Sequence, residues 1–392
     1  MKYIFKNALF SCLFFMIMTC VFAANQQDKI KQKILLSFDK LDADKNASLS
    51  FQELSVLNKK IPKAKQKQFG MFLKSLDKNS DQEISRMELK TQSTNQAMSY
   101  KTKKQSGESE TSLARKTHLN VKYGDHERNV LDVWLVKSQE PAPLVIYIHG
   151  GGFKGGDKKK GIRYRDNYLK VGVSFAAINY RFLPQSDDGV FGCFNDSKRA
   201  LQFISSKAQE WNLDRSKFAL LGGSAGAGTS LWLGYKDDMA DPDHSDPIMR
   251  ESTRVSAVAV TATQCTYNFS KWSTLFDTKP QPGTEIILAD FYGVKVDELK
   301  TKKGQRRIED ADLLIHISKD DPPLYAKNAM RGGKVDINDQ NHVNHHPLHV
   351  KALKDRALEV GLKHQCHAQA LGIDDKPGDD SADSFLIREL KN

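Results

Sequence analysis

The sequence has little cysteine. Of its five cysteines, two fall in the first 23 residues. The remaining three, Cys193, Cys265 and Cys366, are too few and too scattered for a disulfide framework. One bridge among them is allowed, and the sequence selects none. No cysteine stands in a spacing that would make a zinc site. After residue 23 the chain also lacks any apolar run of the roughly 18 residues a membrane span needs. It has no nucleic-acid-binding motif, although its formal net charge is +11. Lysine clusters such as "DKKKG" (157–161) and "TKKGQRR" (301–307) are dispersed and read as solvated surface. These absences argue against a disulfide-stapled small domain, stable membrane insertion and a nucleic-acid partner. An apolar content of 39% with 27% charged residues suits a globular protein.

The first residues follow another pattern. Lys2 and Lys6 precede a nearly unbroken apolar stretch, Ala8 to Phe22, and Val21 and Ala23 suit a small-residue cleavage site. This is the pattern of a secretory signal peptide over 1–23. The expectation is therefore an exported protein, periplasmic or extracellular. The rest divides into a charged helical segment (24–90), a polar linker (91–116) almost free of large apolar side chains, and a domain over 117–392. In that last part, strand-length apolar runs alternate with helical segments, as in a mostly parallel sheet covered by helices on both faces. "LNVKYG" and "NVLDVWLV" read as an antiparallel hairpin at one edge.

Two twelve-residue stretches in 24–90 place oxygen-bearing groups at the same positions. Asp42, Asp44, Asn46, Ser48, Ser50 and Glu53 form one set; Asp77, Asn79, Asp81, Glu83, Ser85 and Glu88 form the other. Ser48 and Glu83 need supply only a backbone carbonyl. Such a loop wraps a hard cation in six or seven oxygens, the last acid binding through both of its own. Leu49 and Ile84 are the apolar residues that let two such loops pair. The segment resembles an EF-hand pair, which implies a structural Ca2+ in each loop. Glycine is missing at the sixth loop position, where Ala47 and Gln82 stand. Without it the turn costs about 1 kcal/mol per site, so weakened calcium affinity is expected.

In "FALLGGSAGAGTSLWL" a serine lies between glycines, after a strand-like run and before a helix-like one. Gly222 to Gly226 is G-x-S-x-G in the strand–turn–helix context of a nucleophile elbow, with Ser224 as nucleophile. Upstream, "HGGGF" (149–153) ends another apolar run. The backbone N–H groups of Gly151, Gly152 and Ala225 are candidates for an oxyanion hole, because charge on a tetrahedral intermediate needs fixed donors. With "INYRFLP", "FNDSKRALQFI" and "WNLDRSKFALLGGSAG", these motifs make residues 117–391 resemble an α/β-hydrolase of the hormone-sensitive-lipase and carboxylesterase type. That resemblance implies ester hydrolysis with no organic cofactor. It also implies a structural pair between Arg181 and Asp196, and an orienting role for His149 in the glycine loop.

The resemblance also implies a histidine after the last strand, expected at "QCHAQAL" (365–371). The following segment, "GIDDKPGDDSADSFLIREL", contains none. Four histidines instead cluster in "NHVNHHPLHV", where Pro347 opens a helix. His345 or His346 is the candidate base, reaching Ser224 from the loop that ordinarily carries the acid. Its carboxylate partner is sought in Asp336 or Asp339 nearby, or in Asp374 or Asp375 of the final loop. A triad is defined by geometry, not chain order. His349 falls inside that helix and is expected to point away; His364 and His367, flanking or entering the last strand, read as structural. Residues 264–315 are expected to form an insertion near the site, with aromatic side chains lining a pocket or joining the core. The function expected is a serine hydrolase cleaving carboxylic esters, including acyl esters of polysaccharides. The alternative is an inactive hydrolase scaffold serving as a calcium-stabilised binding protein.

Overall fold

A computed structural model of the chain describes residues 114–278, 283–379 and 381–391, and in the N-terminal part residues 34, 41–42, 48–50, 53–54, 76 and 83–85. The leader (1–23), linker residues 91–113, and candidate ligands Asp44, Asn46, Asp77, Asn79, Asp81 and Glu88 lie outside the described residues. Two compact units divide the chain, Met1–Ser109 and Glu110–Asn392. Among the described residues no helix is long and apolar enough to cross a membrane.

In the first unit, β1 (Ser48–Ser50) and β2 (Glu83–Ser85) pair antiparallel, with Leu49 opposite Ile84. Both side chains are buried, as are Ile34, Leu41, Leu54 and Leu76. The two twelve-residue loops are thus joined through the residues expected to join them. The Glu53 carboxylate accepts the Ser50 N–H at 2.9 Å and the Ser50 hydroxyl at 2.8 Å, which turns the twelfth loop position back toward the ninth. The candidate donors are all oxygens, the ligand chemistry a hard cation such as calcium takes.

The second unit opens with β3 (Ala114–Lys122), which begins inside the segment expected to be linker. Then come β4 (Val130–Val136), β5 (Ala142–Ile148), α1 (Ile162–Leu169), β6 (Ser174–Ile178), α2 (Val190–Ser206), α3 (Ala208–Trp211) and β7 (Leu213–Gly223). After these follow α4 (Ala225–Tyr235), β8 (Ala257–Thr261), α5 (Ser270–Phe276), α6 (Glu285–Tyr292), α7 (Lys302–Asp310), β9 (Leu324–Lys327), α8 (Gln340–His345), α9 (Leu348–Val360), β10 (His364–Ala368), β11 (Ile373–Asp374) and α10 (Ala382–Lys391). The nine strands form one sheet in the order β11-β10-β9-β8-β7-β5-β6-β4-β3. From β6 through β10 neighbouring strands run parallel; β3, β4 and β11 pair antiparallel at the two edges.

The strands alternate two sets of apolar side chains, and each set builds its own core, as a period of two requires. Leu144, Ile146 and Ile148 of β5 join the face covered by α2, α4 and α9. Val145 and Tyr147 join the opposite face, with Tyr168 and Leu169 of α1 and Phe385, Leu386 and Leu390 of α10. Parallel strands buried on both faces direct their carboxyl ends to one edge, and the elements that follow β5, β7 and β9 meet there. Cys193, Cys265 and Cys366 are buried and unpaired, so no bridge forms among them.

Candidate active site

Ser224 sits between β7 and α4 with φ +54° and ψ −121°. A left-handed conformation at a non-glycine residue costs about 1–3 kcal/mol and persists only where its surroundings enforce it. Here the Ser224 N–H donates to the Thr261 carbonyl at 3.0 Å, and the Ser224 carbonyl accepts from Ala227 at 2.8 Å. The following turn needs glycine, because a Cβ on Gly226 would stand 2.1 Å from the Ile148 carbonyl oxygen. The strand, the sharp turn and the fully buried helix α4 together hold the hydroxyl at the sheet's carboxyl edge.

The glycine loop after β5 abuts this turn: a Cβ on Gly150 would come within 2.3 Å of the Gly223 carbonyl oxygen. Gly151 (φ +138°) and Gly152 (φ +60°) follow. His149 is fully buried beneath the loop and stacks on Tyr180 with centroids 4.4 Å apart. Its carbonyl accepts from the Tyr180 hydroxyl at 2.7 Å, and its Nδ1 lies 3.1 Å from the Gly150 carbonyl. Burial pushes its imidazole down to about 4, so it stays neutral. Arg128 ties down the far side of the loop, donating to the carbonyls of Gly156 at 3.1 Å and Tyr180 at 2.8 Å. Arg181 and Asp196 make a two-pronged ion pair at 2.8 and 2.7 Å, away from any contact with Ser224 among the described residues.

The loop after β9 brings one imidazole to the serine. His345 Nε2 lies 2.9 Å from Ser224 Oγ. His345 ends the short helix α8, which Asp339 caps by accepting the His342 N–H at 3.1 Å. On the same helix, Asn341 Oδ1 lies 3.0 Å from His345 Nδ1. Residues four apart share a helix face, so base and partner come from one turn. Burial lowers the His345 pKa, partly offset by its hydrogen bond with Asn341.

His346 is not at the serine. It points the other way, buried, with Nε2 3.0 Å from the Gly333 carbonyl and Nδ1 accepting the Leu348 N–H at 3.1 Å. His342 Nε2 meets the Arg331 carbonyl at 2.9 Å. His349 Nε2 meets the Val343 carbonyl at 3.0 Å, while its Nδ1 accepts from Cys265 N at 3.3 Å. Three of the four clustered histidines therefore brace the loop, and the fourth faces Ser224.

None of the four candidate carboxylates reaches His345. Asp339 is spent on the helix cap and Arg331, and Asp336 on Asn338. Asp375 accepts the Cys366 N–H at 2.9 Å and pairs with Lys354. Asp374 pairs with His367 at 2.8 Å. The physical reason is register: the antiparallel pairing of β10 with β11 turns the final loop back along β10 and engages both acids there.

The residues missed from sequence are polar and buried or local. Asn328, at the end of β9, accepts the Thr263 N–H at 2.7 Å and donates to the carbonyls of Thr263 and His346 at 3.0 and 3.1 Å. Gln264 donates to the Asn344 carbonyl at 2.6 Å. Asn341 had a readable signal: Asp339 as an N-cap would have started a helix that sets 341 and 345 on one face. The aromatic residues of 264–315 divide. Tyr267 and Tyr292 are core, Trp272 and Phe276 pack edge-on against His349, and Phe291 lines a cavity of about 770 Å3 beside the glycine loop with Gly152, Lys154, Leu183, Ile287 and Lys295.

Comparison with known proteins agrees with this architecture. Residues 131–344, more than half of the chain, match the BD-FAE family. Residues 17–92 match the calcium-binding region of secreted protein acidic and rich in cysteine. A probable carboxylic ester hydrolase, LipM, of Mycobacterium tuberculosis is 26% identical over 225 residues, covering 56% of this chain and 48% of that protein. A probable isoprenylcysteine alpha-carbonyl methylesterase of Arabidopsis thaliana is 27% identical over 139 residues, covering 35% of this chain and 29% of that protein. The chain thus spans less than half the length of these two relatives. Among solved structures, a truncated form of a carbohydrate esterase from gut microbiota superposes with a TM-score of 0.53 at 17% identity, over 72% of this chain and 99% of the other. That likeness is one of fold, the α/β-hydrolase fold.

Proposed function

The chain belongs to the BD-FAE family, and on that premise we propose that it hydrolyses carboxylic esters through an acyl-enzyme on Ser224, with His345 as the base. The observation that carries the reading is the 2.9 Å approach of His345 Nε2 to Ser224 Oγ. A hydroxyl becomes an effective nucleophile when a base takes its proton as it attacks. His345 accepts that proton at Nε2 while Oγ bonds to the ester carbonyl carbon. The carbonyl oxygen becomes an oxyanion, and the backbone N–H groups of Ala225, Gly151 and Gly152 are the proposed donors to it. The intermediate collapses by breaking the bond to the alcohol oxygen, which leaves with the proton from His345. Water then attacks the acyl carbonyl carbon and gives a proton to His345; the bond to Oγ breaks as His345 returns that proton to it, releasing the acid and restoring the Ser224 hydroxyl.

The substrates proposed are small acyl esters, including those carried on polysaccharides. The cavity that Gly152 lines supports this choice, since Lys154, Asp187 and Lys295 line it together with the apolar Leu183 and Phe291. Such mixed walls suit a polar group presented on an apolar body. Asp42, Asp44, Asn46, Ser48, Ser50 and Glu53, with Asp77, Asn79, Asp81, Glu83, Ser85 and Glu88, would hold structural calcium. It takes no part in the chemistry. Export through the leader at 1–23 completes the proposal.

A fluorophosphonate label and short nitrophenyl esters test the reading. Wild-type protein is expected to label at Ser224 and to hydrolyse the esters. Ser224→Ala abolishes both, and His345→Ala lowers kcat/KM by at least about a hundredfold. His346→Gln keeps most of its activity at low temperature. A wild-type chain that neither labels nor hydrolyses, or a His345→Ala variant with full activity, defeats the proposal.

A further inference from the structure

We infer that Asn341 takes the place of the orienting acid, so that the site is a Ser224–His345–Asn341 triad whose last two members lie on one helical turn. This rests on the reading of Ser224 as nucleophile and His345 as base. Among the described residues, the hydrogen-bond partners of the His345 ring are Ser224 Oγ at Nε2 and Asn341 Oδ1 at Nδ1. An amide oxygen at Nδ1 selects the tautomer with its proton on that nitrogen. The lone pair of Nε2 then faces the serine, as a base requires. An amide carries no charge, however. It orients the ring without stabilising the imidazolium that forms when the serine proton arrives.

Among the described residues, no carboxylate is hydrogen-bonded or paired to the His345 ring. Asp339 accepts the His342 N–H and pairs with Arg331 at 3.5 Å. Asp336 is turned to Asn338. The segment after β8 presents the uncharged Thr263 and Gln264, and Gln264 is bound to the Asn344 carbonyl. From α9 the titratable neighbour is His349, which burial holds neutral by pushing it to about 3. His346, on the other side of the loop, is also lowered by burial. Burial thus holds the His345 imidazole below its usual value, and no hydrogen-bonded carboxylate among the described residues raises it.

The arrangement is mechanically self-contained. Asn341 and His345 are four residues apart on α8, and the helix is pinned at its start by Asp339 and after its end by Asn328. Base and orienter therefore move together. Of the acids the sequence offered from the final loop, Asp375 is occupied by Lys354 and Cys366 N, and Asp374 by His367.

The test is the pH profile of kcat/KM for p-nitrophenyl acetate, measured between pH 4.5 and 9 for the full chain. The wild type is compared with Asn341→Asp and Asn341→Ala. Asn341→Asp sets a carboxylate at the same distance from Nδ1. It is expected to move the acid limb up by about one pH unit, within the range for an opposite charge this close. The alkaline plateau should rise by up to about tenfold, as the imidazolium gains a counter-charge. Asn341→Ala frees the ring and should lower kcat by about 10–100-fold with KM nearly unchanged. A structural role alone would change the amount of folded protein without moving the limb. A wild-type chain with no hydrolysis at any pH overturns the esterase reading and this inference with it. An active wild type overturns the inference alone if Asn341→Ala matches it, or if Asn341→Asp leaves the acid limb in place.

Discussion

Asn328 donates its side-chain amide to the carbonyl of His346 at 3.1 Å, and so holds the residue next to the base from the end of a central strand. The same amide nitrogen bonds the Thr263 carbonyl, and its oxygen accepts the Thr263 N–H. One buried side chain thus ties the loop after β8 to the loop after β9. The position of His345 follows from this brace as much as from its own helix.

Replacing Asn328 by alanine leaves the Thr263 N–H and the His346 carbonyl without these partners. Both lie in a buried region. The expected cost is about 2–3 kcal/mol of stability, read by urea denaturation. Because the base loses its support, kcat is expected to fall at least about tenfold with a smaller change in KM. A variant with wild-type kcat would show that α8 keeps its place unaided.

Stability should decline in mild acid for a reason located in two histidines. His149 and His349 are buried and held neutral, with pKa values pushed to about 4 and about 3. In the unfolded chain both titrate near pH 6.5. Between pH 6.5 and about 4 the unfolded state therefore binds protons that the folded state refuses, and stability falls as pH drops. Their contribution is fully present above pH 6.5. Melting temperature measured from pH 7 to 4.5 should decrease steadily, and His349→Gln should flatten the slope. A wild-type melting temperature constant over that range would contradict the assignment.

Calcium should stabilise the full chain. Millimolar calcium is expected to raise the melting transition of the first unit, with no change in kcat once the second unit is folded. Glu53→Gln with Glu88→Gln removes one carboxylate from each candidate loop and should abolish the shift. Ala47→Gly with Gln82→Gly should strengthen it, since glycine relieves the turn at the sixth position. A melting curve indifferent to calcium would mark the loops as unable to bind.

Local pattern was enough to read the elbow, the glycine loop, the paired twelve-residue loops and the alternating strands, because each depends on residues close in the chain. The glycines about Ser224 after β7 mark a tight turn in the sequence itself, and the Thr261 carbonyl and the Ile148 backbone then hold it. Leu49 and Ile84 sit at equivalent positions of two like loops, so their pairing was written in the repeat. β9, four residues long, offered too short a pattern to be seen, and the start of β3 at Ala114 was hidden in polar sequence.

Which histidine meets Ser224 was beyond the sequence alone. His342, His345, His346 and His349 are chemically identical and lie within one short stretch. Only the path of the loop, anchored by Asn328 and Gln264 and packed on Trp272 and Phe276, turns one ring toward the hydroxyl and three away. The same holds for the partner of that ring. The resemblance implied a carboxylate, but antiparallel pairing at the sheet edge claimed the two acids of the final loop, and a helix cap claimed Asp339. Chemistry that depends on near neighbours was legible in the chain itself; contact across 121 residues was decided by packing, because side-chain direction there is set by the buried supports of a loop.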